Sequence, residues 1–175
     1  MRIISGRWKG HRLKSLRGKG TRPTTDRVRE AWMGALGMGL EGARVLDLFA
    51  GSGALGLEAL SRGARQVVFV ERARGALATL QGNIELLGAR EACTIVRGEA
   101  MAYVRRLDSA SFDLALADPP YDQGLANDLL EIFAEKGFAG ELWVEHRSAE
   151  VMPALPGLRQ RRYGDTTLSI LTRDE

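Results

Sequence analysis

The sequence contains very few of the residues that build disulfides and metal clusters. Among 175 residues there is one cysteine, Cys93, and there are two histidines, His11 and His146. A single cysteine excludes an internal disulfide and a cysteine-based metal cluster. The histidines are far apart in the sequence, and neither stands in a group of carboxylates. The sequence therefore predicts no metal site, and Cys93 is expected to be a small buried hydrophobic residue.

Long apolar runs are also missing. No stretch approaches the roughly 20 apolar residues that a helix needs to span a bilayer. Residues 1–6 have neither the apolar core nor the cleavage site of a signal peptide. We therefore expect a cytoplasmic protein without a membrane segment. A chain of 175 residues has the usual size of one α/β domain with a substantial core.

Positive charge is concentrated near the N-terminus. Residues 1–29 contain ten Lys or Arg and one acid, a net charge of +9, whereas residues 30–175 contain fifteen Lys or Arg and twenty-one acids, a net charge of −6. A basic segment joined to an acidic body favours a polyanion bound at one end of the molecule. Apolar residues and glycines interrupt the cations, which predicts a short hairpin with a basic face; the alternative is a solvated tail. The candidate phosphate contacts are Arg2, Arg7, Lys9, Arg12 and Lys14.

A glycine-rich stretch follows the first long apolar run of the chain. Residues 45–49 have the length and composition of a buried strand, and glycines stand at positions 51, 53 and 56. A strand that passes through glycines into a helix lets backbone N–H groups approach a ligand closely. Glu71 ends the next apolar run, where an acid can accept hydrogen bonds from ribose hydroxyls. The stretch predicts a site for an adenosine-containing cofactor; the alternative is a turn that binds no ligand.

Short apolar runs alternate with amphipathic stretches from residue 26 onward, which indicates an α/β fold. Strands are predicted at residues 45–49, 67–71, 93–96, 112–117 and 141–145, and helices at residues 26–36, 54–62, 74–87, 102–107 and 125–135. Residues 158–163 and 167–171 are predicted to form an antiparallel hairpin. Strands that alternate with helices form a parallel sheet covered on both faces. We predict one domain at residues 24–175, preceded by a basic extension at residues 1–23.

The tetrapeptide Asp118-Pro119-Pro120-Tyr121, directly after the fourth predicted strand, indicates the chemistry. Two consecutive prolines fix the backbone and remove two N–H donors, so the carbonyl oxygens remain available as acceptors. The Asp118 side chain and the Pro119 carbonyl can then converge on one amino group, and Tyr121 offers a ring on which a planar base can stack. Acceptors that hold both hydrogens of a nucleobase amine favour the pyramidal nitrogen that can attack an electrophilic carbon. The alternative is a rigid turn.

Together with the glycine-rich stretch, this tetrapeptide resembles the motifs of the S-adenosylmethionine-dependent amino-methyltransferases. Residues 2–10, 22–30 and 53–63 look like blocks of the RsmD family, which methylates N2 of guanine 966 in bacterial 16S ribosomal RNA. Glu99 stands where this family usually has an aspartate. The resemblance implies an α/β, Rossmann-like methyltransferase fold with a mostly parallel seven-stranded sheet. It also implies an antiparallel C-terminal hairpin and a basic N-terminal β-hairpin extension.

The resemblance implies a role for each motif. S-adenosylmethionine would be the cofactor, held by Asp47, Phe49, Gly51, Gly53, Glu71 and Glu99. Asp118, Pro119 and Tyr121 would hold the target guanine as the catalytic residues, and the five N-terminal cations would bind RNA. The sulfonium already carries an activated methyl group, so the reaction needs no metal and no nucleophilic side chain. The implied partner is 16S rRNA, free or within an assembling or assembled small subunit, and we expect a monomer.

Other functions use parts of the same pattern. A nicotinamide oxidoreductase would use the glycines and Glu71 in the same way, but it has no use for the Asp-Pro-Pro-Tyr motif. A serine hydrolase is excluded, because Ser52 does not stand in a Gly-x-Ser-x-Gly elbow. A DNA adenine-N6 or cytosine-N4 methyltransferase remains the main alternative, although it usually needs a separate target-recognition region. A non-catalytic RNA-binding module would explain residues 1–29 but not the cofactor motif.

Overall fold

The structure is a computed structural model that describes residues 1–16 and 26–173. The helices are α1 (Asp26–Leu36), α2 (Ala54–Ser61), α3 (Arg74–Leu86), α4 (Ala100–Arg105) and α5 (Leu125–Lys136). The strands are β1 (Arg44–Leu48), β2 (Gln66–Glu71), β3 (Cys93–Arg97), β4 (Phe112–Ala117), β5 (Ala139–Arg147), β6 (Arg159–Tyr163) and β7 (Thr166–Thr172). The predicted elements are all present, with ends shifted by a few residues. The predicted domain boundary after residue 23 lies outside the described residues and stays a prediction.

The seven strands form one sheet in the order β3-β2-β1-β4-β5-β7-β6. The first five strands in this order are parallel, whereas β7 runs antiparallel to both β5 and β6. The predicted fold, a mostly parallel sheet with an antiparallel C-terminal hairpin, is therefore confirmed. From β1 the chain proceeds outward to β2 and β3, and then returns to the other side of β1 with β4. This reversal opens a crevice at the carboxyl ends of β1 and β4, where sheets of this kind bind ligands.

Helices cover both faces of the sheet, which explains why the parallel strands are apolar on both sides. On one face Trp32 of α1, Leu57 of α2 and Leu80 of α3 pack with the sheet in one cluster of buried side chains. On the other face α4 and α5 pack in a second cluster, where the rings of Phe133 and Phe138 meet edge to face at 5.2 Å. None of the helices in the described part of the chain is long and apolar enough to cross a membrane.

Cys93 begins β3 and packs against the first of these clusters while remaining partly exposed. Burial raises the pKa of its thiol to about 12. The thiol is therefore protonated at physiological pH, and the residue packs as a small hydrophobic side chain, although it is less buried than the sequence predicted.

Residues 1–16, called the N-terminal segment below, form a hairpin against the domain. Arg2 and Arg12 are joined in an antiparallel bridge, and the amide of Leu13 donates to the carbonyl of Met1 at 2.9 Å. The apolar side chains Ile3, Trp8 and Leu13 are buried in the same cluster as helices α1 to α3. The five candidate phosphate contacts, Arg2, Arg7, Lys9, Arg12 and Lys14, are all exposed. The segment thus has one apolar side in the core and one basic side in solvent.

Candidate active site at the strand ends

The turn between β1 and α2 has a backbone that ordinary side chains rarely adopt. Gly51 and Gly53 have φ values of +57° and +83°, and Phe49 shares this left-handed conformation with φ +57°. A methyl group added at Gly53 would lie 2.3 Å from Cδ1 of Leu80, and one at Gly56 would lie 2.4 Å from Cε1 of Phe69. The glycine at 51 is therefore needed for conformation, the glycine at 56 for close packing of α2 on β2, and Gly53 for both.

Asp47, the fourth residue of β1, fixes this glycine turn from beneath. Its side chain is 1% exposed, and Oδ2 accepts a hydrogen bond of 2.9 Å from the amide of Gly56. Burial raises the pKa of Asp47 well above its ordinary value, and the nearby charges of Asp118 and Glu71 raise it further, while the Gly56 hydrogen bond acts in the opposite direction. The ends of β1, β2 and β4 thus bring three carboxylates together.

Glu71 connects the end of β2 with the glycine turn. Its Oε2 accepts a hydrogen bond of 2.8 Å from the amide of Gly51, and its Oε1 accepts from the amides of Arg72 and Ala73, also at 2.8 Å. These last two amides lie just before α3, so the carboxylate also satisfies donors at the start of that helix. Glu71, the residue predicted to bind the ribose, is therefore held beside the turn by backbone amides on both sides.

Glu99 has a clear structural task at the start of α4. Its two carboxylate oxygens accept hydrogen bonds from the amides of Met101 at 2.9 Å and Ala102 at 2.7 Å. These bonds cap the helix in the manner of an N-terminal acid. The side chain is exposed, at the end of the strand that pairs with β2. Its predicted role in contacting adenine stays a prediction.

The Asp-Pro-Pro-Tyr motif follows β4, next to the glycine turn of β1. Pro119 is buried, and the partly buried Tyr121 donates its hydroxyl hydrogen to Oε1 of Glu145 at 2.8 Å, with Oγ1 of Thr166 at 3.3 Å. Burial raises the pKa of Tyr121 above its ordinary value, and the adjacent Glu145 contributes to the increase. The phenol therefore stays protonated and serves as a donor that fixes the ring.

Arg147, at the end of β5, lies against the same tyrosine. Its guanidinium carbon is 5.4 Å from the centroid of the Tyr121 ring, and its Nε is 3.2 Å from Oδ2 of Asp122. Analysis of the sequence did not single out Arg147, Glu145 or Thr166. A signal for Glu145 was present, because this carboxylate ends the predicted strand directly after the apolar residues 142–144. The contacts themselves join residues of β5 and β7, which only the folded sheet brings next to the motif.

The structure brings most of the predicted site residues to one edge of the sheet. The glycine turn, Asp47, Glu71 and the Asp-Pro-Pro-Tyr motif lie at the adjacent ends of β1, β2 and β4. The predicted RNA contacts lie on the N-terminal segment, and the guanidinium of Arg7 is 4.5 Å from the ring of Trp8. Within residues 1–16 and 26–173, no group of three or more His, Cys, Asp or Glu has a geometry that could hold a metal ion.

Two clefts open elsewhere on the molecule. One of about 350 Å³ is lined by side chains that include His146, Ser148 and Thr167, and one of about 370 Å³ is lined by Leu36 and Trp143 among others. Neither is lined by a predicted site residue. In the first cleft the polar side chains bond within the protein, because His146 Nε2 meets Ser169 Oγ at 2.8 Å and Ser148 Oγ meets Thr167 Oγ1 at 2.8 Å. The candidate site is therefore defined by the residues at the strand ends and not by either of these clefts.

Comparison with known proteins identifies the family of the chain. The family model described as Conserved hypothetical protein 95 matches residues 1–172. Ribosomal RNA small subunit methyltransferase D of Escherichia coli (strain K12) is 35% identical over 159 residues, which cover 89% of this chain and 79% of that protein. The solved structure of the Escherichia coli protein yhhF, provisionally described as a methyltransferase, has a TM-score of 0.84 and 33% identity, with 99% of this chain and 98% of that chain covered.

A more distant structure shares the fold. An RNA methyltransferase from Salinibacter ruber, solved in complex with S-adenosyl-L-homocysteine, has a TM-score of 0.66 at 14% identity and covers 88% of this chain and 95% of its own. The sheet order and these likenesses define the fold of the S-adenosylmethionine-dependent methyltransferases. Because the family model spans residues 1–172 and the Escherichia coli relative matches most of the chain, this protein belongs to the RsmD family of methyltransferases.

Proposed function

We propose that this protein transfers a methyl group from S-adenosylmethionine to the exocyclic N2 of guanine 966 in 16S ribosomal RNA. The observation that carries the proposal is the position of the Asp-Pro-Pro-Tyr motif, which follows β4 beside the glycine turn of β1. This arrangement puts acceptors for an amino group next to a turn that can receive a cofactor. The name of the Escherichia coli relative supports small-subunit rRNA as the substrate. The enzyme would act as a monomer in the cytoplasm, on rRNA alone or in a small subunit.

Electrostatics favours a cationic cofactor at this edge of the sheet. The carboxylates of Asp47, Glu71 and Asp118 are close enough for the last two to raise the pKa of the first. S-adenosylmethionine carries a sulfonium and an ammonium group against one carboxylate, and such a field attracts its net positive charge. The pyrophosphate of a dinucleotide would be repelled by the same field, which disfavours the nicotinamide alternative. The ligand of the Salinibacter ruber enzyme, S-adenosyl-L-homocysteine, is the product of methyl transfer from this cofactor.

The cofactor would lie along the ends of β1 to β3. Gly51 and Gly53 would lie under the methionine part of the cofactor, with Phe49 beside it in the turn and Asp47 as the support of the turn. Glu71 would accept hydrogen bonds from the ribose hydroxyls, and the end of β3 near Glu99 would contact the adenine. No side chain has to form a covalent bond with the methyl group, because the sulfonium supplies it in activated form.

The residues of the tetrapeptide would position the attacking nitrogen. The Asp118 carboxylate and the Pro119 carbonyl accept the two hydrogens of the guanine amino group, so that its lone pair can be directed at the methyl carbon. The cofactor would supply the methyl group: the new N–C bond would form as its C–S bond breaks, with the electron pair of that bond left on sulfur. The surplus proton on nitrogen then leaves through the acceptors or water. Holding the reactants in line is the main contribution of the protein to the rate.

The direct test is methyl transfer to RNA from cells that lack this enzyme. We expect tritiated S-adenosylmethionine to label 16S rRNA from a strain in which the gene is deleted, with N2-methylguanosine as the labelled nucleoside at position 966. RNA from the parent strain, already modified, is the control and should accept little label. In a parallel reaction with DNA from the deletion strain, label in N6-methyladenine or N4-methylcytosine would instead support the alternative DNA methyltransferase.

Substitutions at Tyr121 test the stacking role of its ring. Tyr121→Ala should weaken RNA binding by about 1–3 kcal/mol, because one base loses its aromatic partner. Tyr121→Phe keeps the ring and loses the 2.8 Å bond to Glu145, so RNA affinity should change much less while the protein unfolds at a lower urea concentration. Binding measured by filter retention and unfolding measured by circular dichroism separate the two effects. Equal RNA affinity of the alanine and phenylalanine variants would contradict the stacking role.

Substitution of Glu71 tests the cofactor site. Glu71→Ala should weaken S-adenosylmethionine binding by about 1.5–3 kcal/mol, because it removes a charge-assisted contact to the ribose and the support of Gly51. Titration calorimetry would measure the dissociation constant. Glu91→Ala, which changes an exposed acid before β3, is the matched control and should bind like the wild type. Wild-type affinity in the Glu71 variant, or tight binding of NADH to the wild type, would contradict the assignment.

The salt dependence of RNA binding tests the basic side of the N-terminal segment. If four or five of its cations contact phosphates, the logarithm of the binding constant should fall against the logarithm of salt concentration with a slope of roughly −3 to −4. Changing Arg7, Lys9 and Arg12 together to Gln should reduce the slope by about two to three units. The matched control changes the exposed residues Arg90, Arg105 and Arg106 to Gln. An unchanged slope in the first variant would contradict RNA binding by this segment.

A further inference from the structure

Asn83 joins the N-terminal segment to the glycine turn. This residue of α3 is fully buried, and its Oδ1 accepts a hydrogen bond of 2.8 Å from the amide of Lys14. Its Nδ2 donates to the carbonyl of Lys14 at 3.0 Å and to the carbonyl of Ser52 at 2.9 Å. The side-chain amide therefore pairs with the backbone of Lys14 through one donor and one acceptor, as a neighbouring β-strand would. Its other N–H donates to Ser52, the middle residue of the turn.

These three hydrogen bonds require an amide at this position. Both N–H groups of Asn83 and its oxygen are engaged at once, and each has a backbone partner. An aspartate keeps the size and the acceptor but loses both donors, and it would direct an oxygen at the carbonyls of Lys14 and Ser52. A buried carbonyl that loses its donor is destabilised, so the isosteric change would loosen the turn and the segment together.

The segment meets the same turn at a second point. The half-buried Leu16 lies at its end, and Cδ1 of Leu16 would be 3.5 Å from a methyl group added at Gly51. Nearer the N-terminus of the segment, the amides of Ile4 and Ser5 donate to Glu58 of α2, at 2.9 and 3.0 Å. The segment is thus anchored on the helix that follows the turn, and it is joined to the turn at Ser52 by way of Asn83, with Leu16 lying near Gly51.

We propose that Asn83 is a positioning residue that couples RNA binding by the N-terminal segment to cofactor binding at the glycine turn. The proposal rests on the proposed function, because it takes RNA and S-adenosylmethionine as the two ligands. RNA that holds the cations of the segment also fixes Lys14 and Leu16. Asn83 and Leu16 then hold the Gly51-Ser52-Gly53 backbone in the conformation that receives the cofactor. Because coupling between two sites is reciprocal, the cofactor must strengthen RNA binding by the same factor.

The experiment measures this factor directly. Calorimetry gives the dissociation constant of S-adenosylhomocysteine, which cannot react, for the protein alone and for the protein saturated with a 16S rRNA transcript. For the wild type we expect RNA to tighten binding by about 5-fold or more, and for Asn83→Asp by less than about 2-fold. Asn127→Asp makes the same chemical change on α5, where the side-chain amide donates to Glu131 at 3.5 Å, and should keep the wild-type factor. A role confined to stability would lower the melting temperature of the Asn83 variant and leave the factor unchanged.

Each outcome decides between distinct conclusions. A wild-type protein that methylates rRNA but binds S-adenosylhomocysteine equally well with and without RNA overturns the coupling. An Asn83→Asp variant that keeps the wild-type factor overturns the role of Asn83. If this variant does not fold, Leu16→Ala decides, and it should reduce the factor by removing the side chain that lies near Gly51; an unchanged factor overturns the proposal. A wild-type protein that neither binds S-adenosylhomocysteine nor methylates rRNA contradicts the proposed function itself.

Discussion

Changing Asp118 to alanine is expected to slow methyl transfer by roughly 10²–10³-fold, because it removes one preorganised partner of the reacting amino group. Cofactor affinity should change only a few-fold. The carboxylate contributes to the field at this edge of the sheet, where it helps to raise the pKa of Asp47, but in the proposed arrangement it makes no direct contact with the cofactor. Single-turnover rates with 16S rRNA and calorimetry with S-adenosylmethionine would measure the two quantities separately.

Two variants make the Asp118 experiment specific. Asp118→Asn keeps an acceptor oxygen of the same size, so its rate should lie between those of the wild type and the alanine variant. Asp113→Ala changes an exposed aspartate at the opposite end of β4, where Oδ2 accepts a hydrogen bond of 2.7 Å from the amide of Arg44, and should leave the rate close to the wild-type value. A wild-type rate in the Asp118→Ala variant would contradict the mechanism.

The positions of strands and helices could be predicted from the sequence because the parallel strands β1, β2, β4 and β5 are largely buried on both sides. Such strands appear as continuous apolar runs, and β4 was predicted at its observed ends. The insertion of β7 between β5 and β6 was not predicted. The composition of β6 and β7 nevertheless indicates which of the two lies at the edge of the sheet. The residues Thr166 to Leu171 of β7 are buried, whereas β6 exposes Arg159 to Arg162. An interior strand needs apolar neighbours on both faces, and a charged strand suits the edge of a sheet.

The sequence could predict only those site residues whose closeness in space follows from the order of strands along the chain. Strand ends of a parallel sheet meet at one edge, so the glycine turn, Glu71 and the tetrapeptide could be grouped from the sequence. The residues that hold this group could not be found in that way. Glu145 contacts Tyr121 across 24 positions, and Asn83 contacts Ser52 across 31 positions. Each of these contacts depends on the packing of one particular side chain.

Arg29 shows how a charge count can mislead. It contributes to the excess of cations in residues 1–29, yet its side chain is fully buried and its Nε lies 3.9 Å from the buried Glu58. The spacing of four residues between Val28, Trp32 and Leu36 predicts that these form the buried face of α1. The fully buried residues of the described helix instead include Arg29 and Trp32, and Val28 and Leu36 are half-buried. The stripe was displaced by about one position because an arginine with a buried carboxylate partner can occupy the core.

Changing Glu58 to alanine is expected to destabilise the protein by about 3–5 kcal/mol, because it removes one partner from a buried group of charges. The Glu58 side chain is fully buried on α2 and accepts hydrogen bonds from the amides of Ile4 and Ser5 and from Nε of Arg62 at 3.0 Å, with Arg29 nearby. Alanine would remove the acceptors of two backbone amides. It would also remove the carboxylate that lies near the buried Arg29. Urea unfolding followed by circular dichroism would measure the loss, with a comparison of midpoints and slopes.

The same variant also tests how the N-terminal segment is held. Since Glu58 anchors Ile4 and Ser5, its loss should weaken RNA binding more than cofactor binding, measured at a temperature where the variant is still folded. Glu58→Gln keeps one acceptor oxygen and should lose less stability than the alanine variant. Glu85→Ala breaks an exposed pair with Arg90, at 3.4 Å, and should change stability by less than ~1 kcal/mol, because solvent screens such pairs. A Glu58→Ala variant as stable as Glu85→Ala would mean that the anchor contributes little, and that the apolar contacts of Ile3, Trp8 and Leu13 and the hydrogen bonds of Asn83 to Lys14 hold the segment in place.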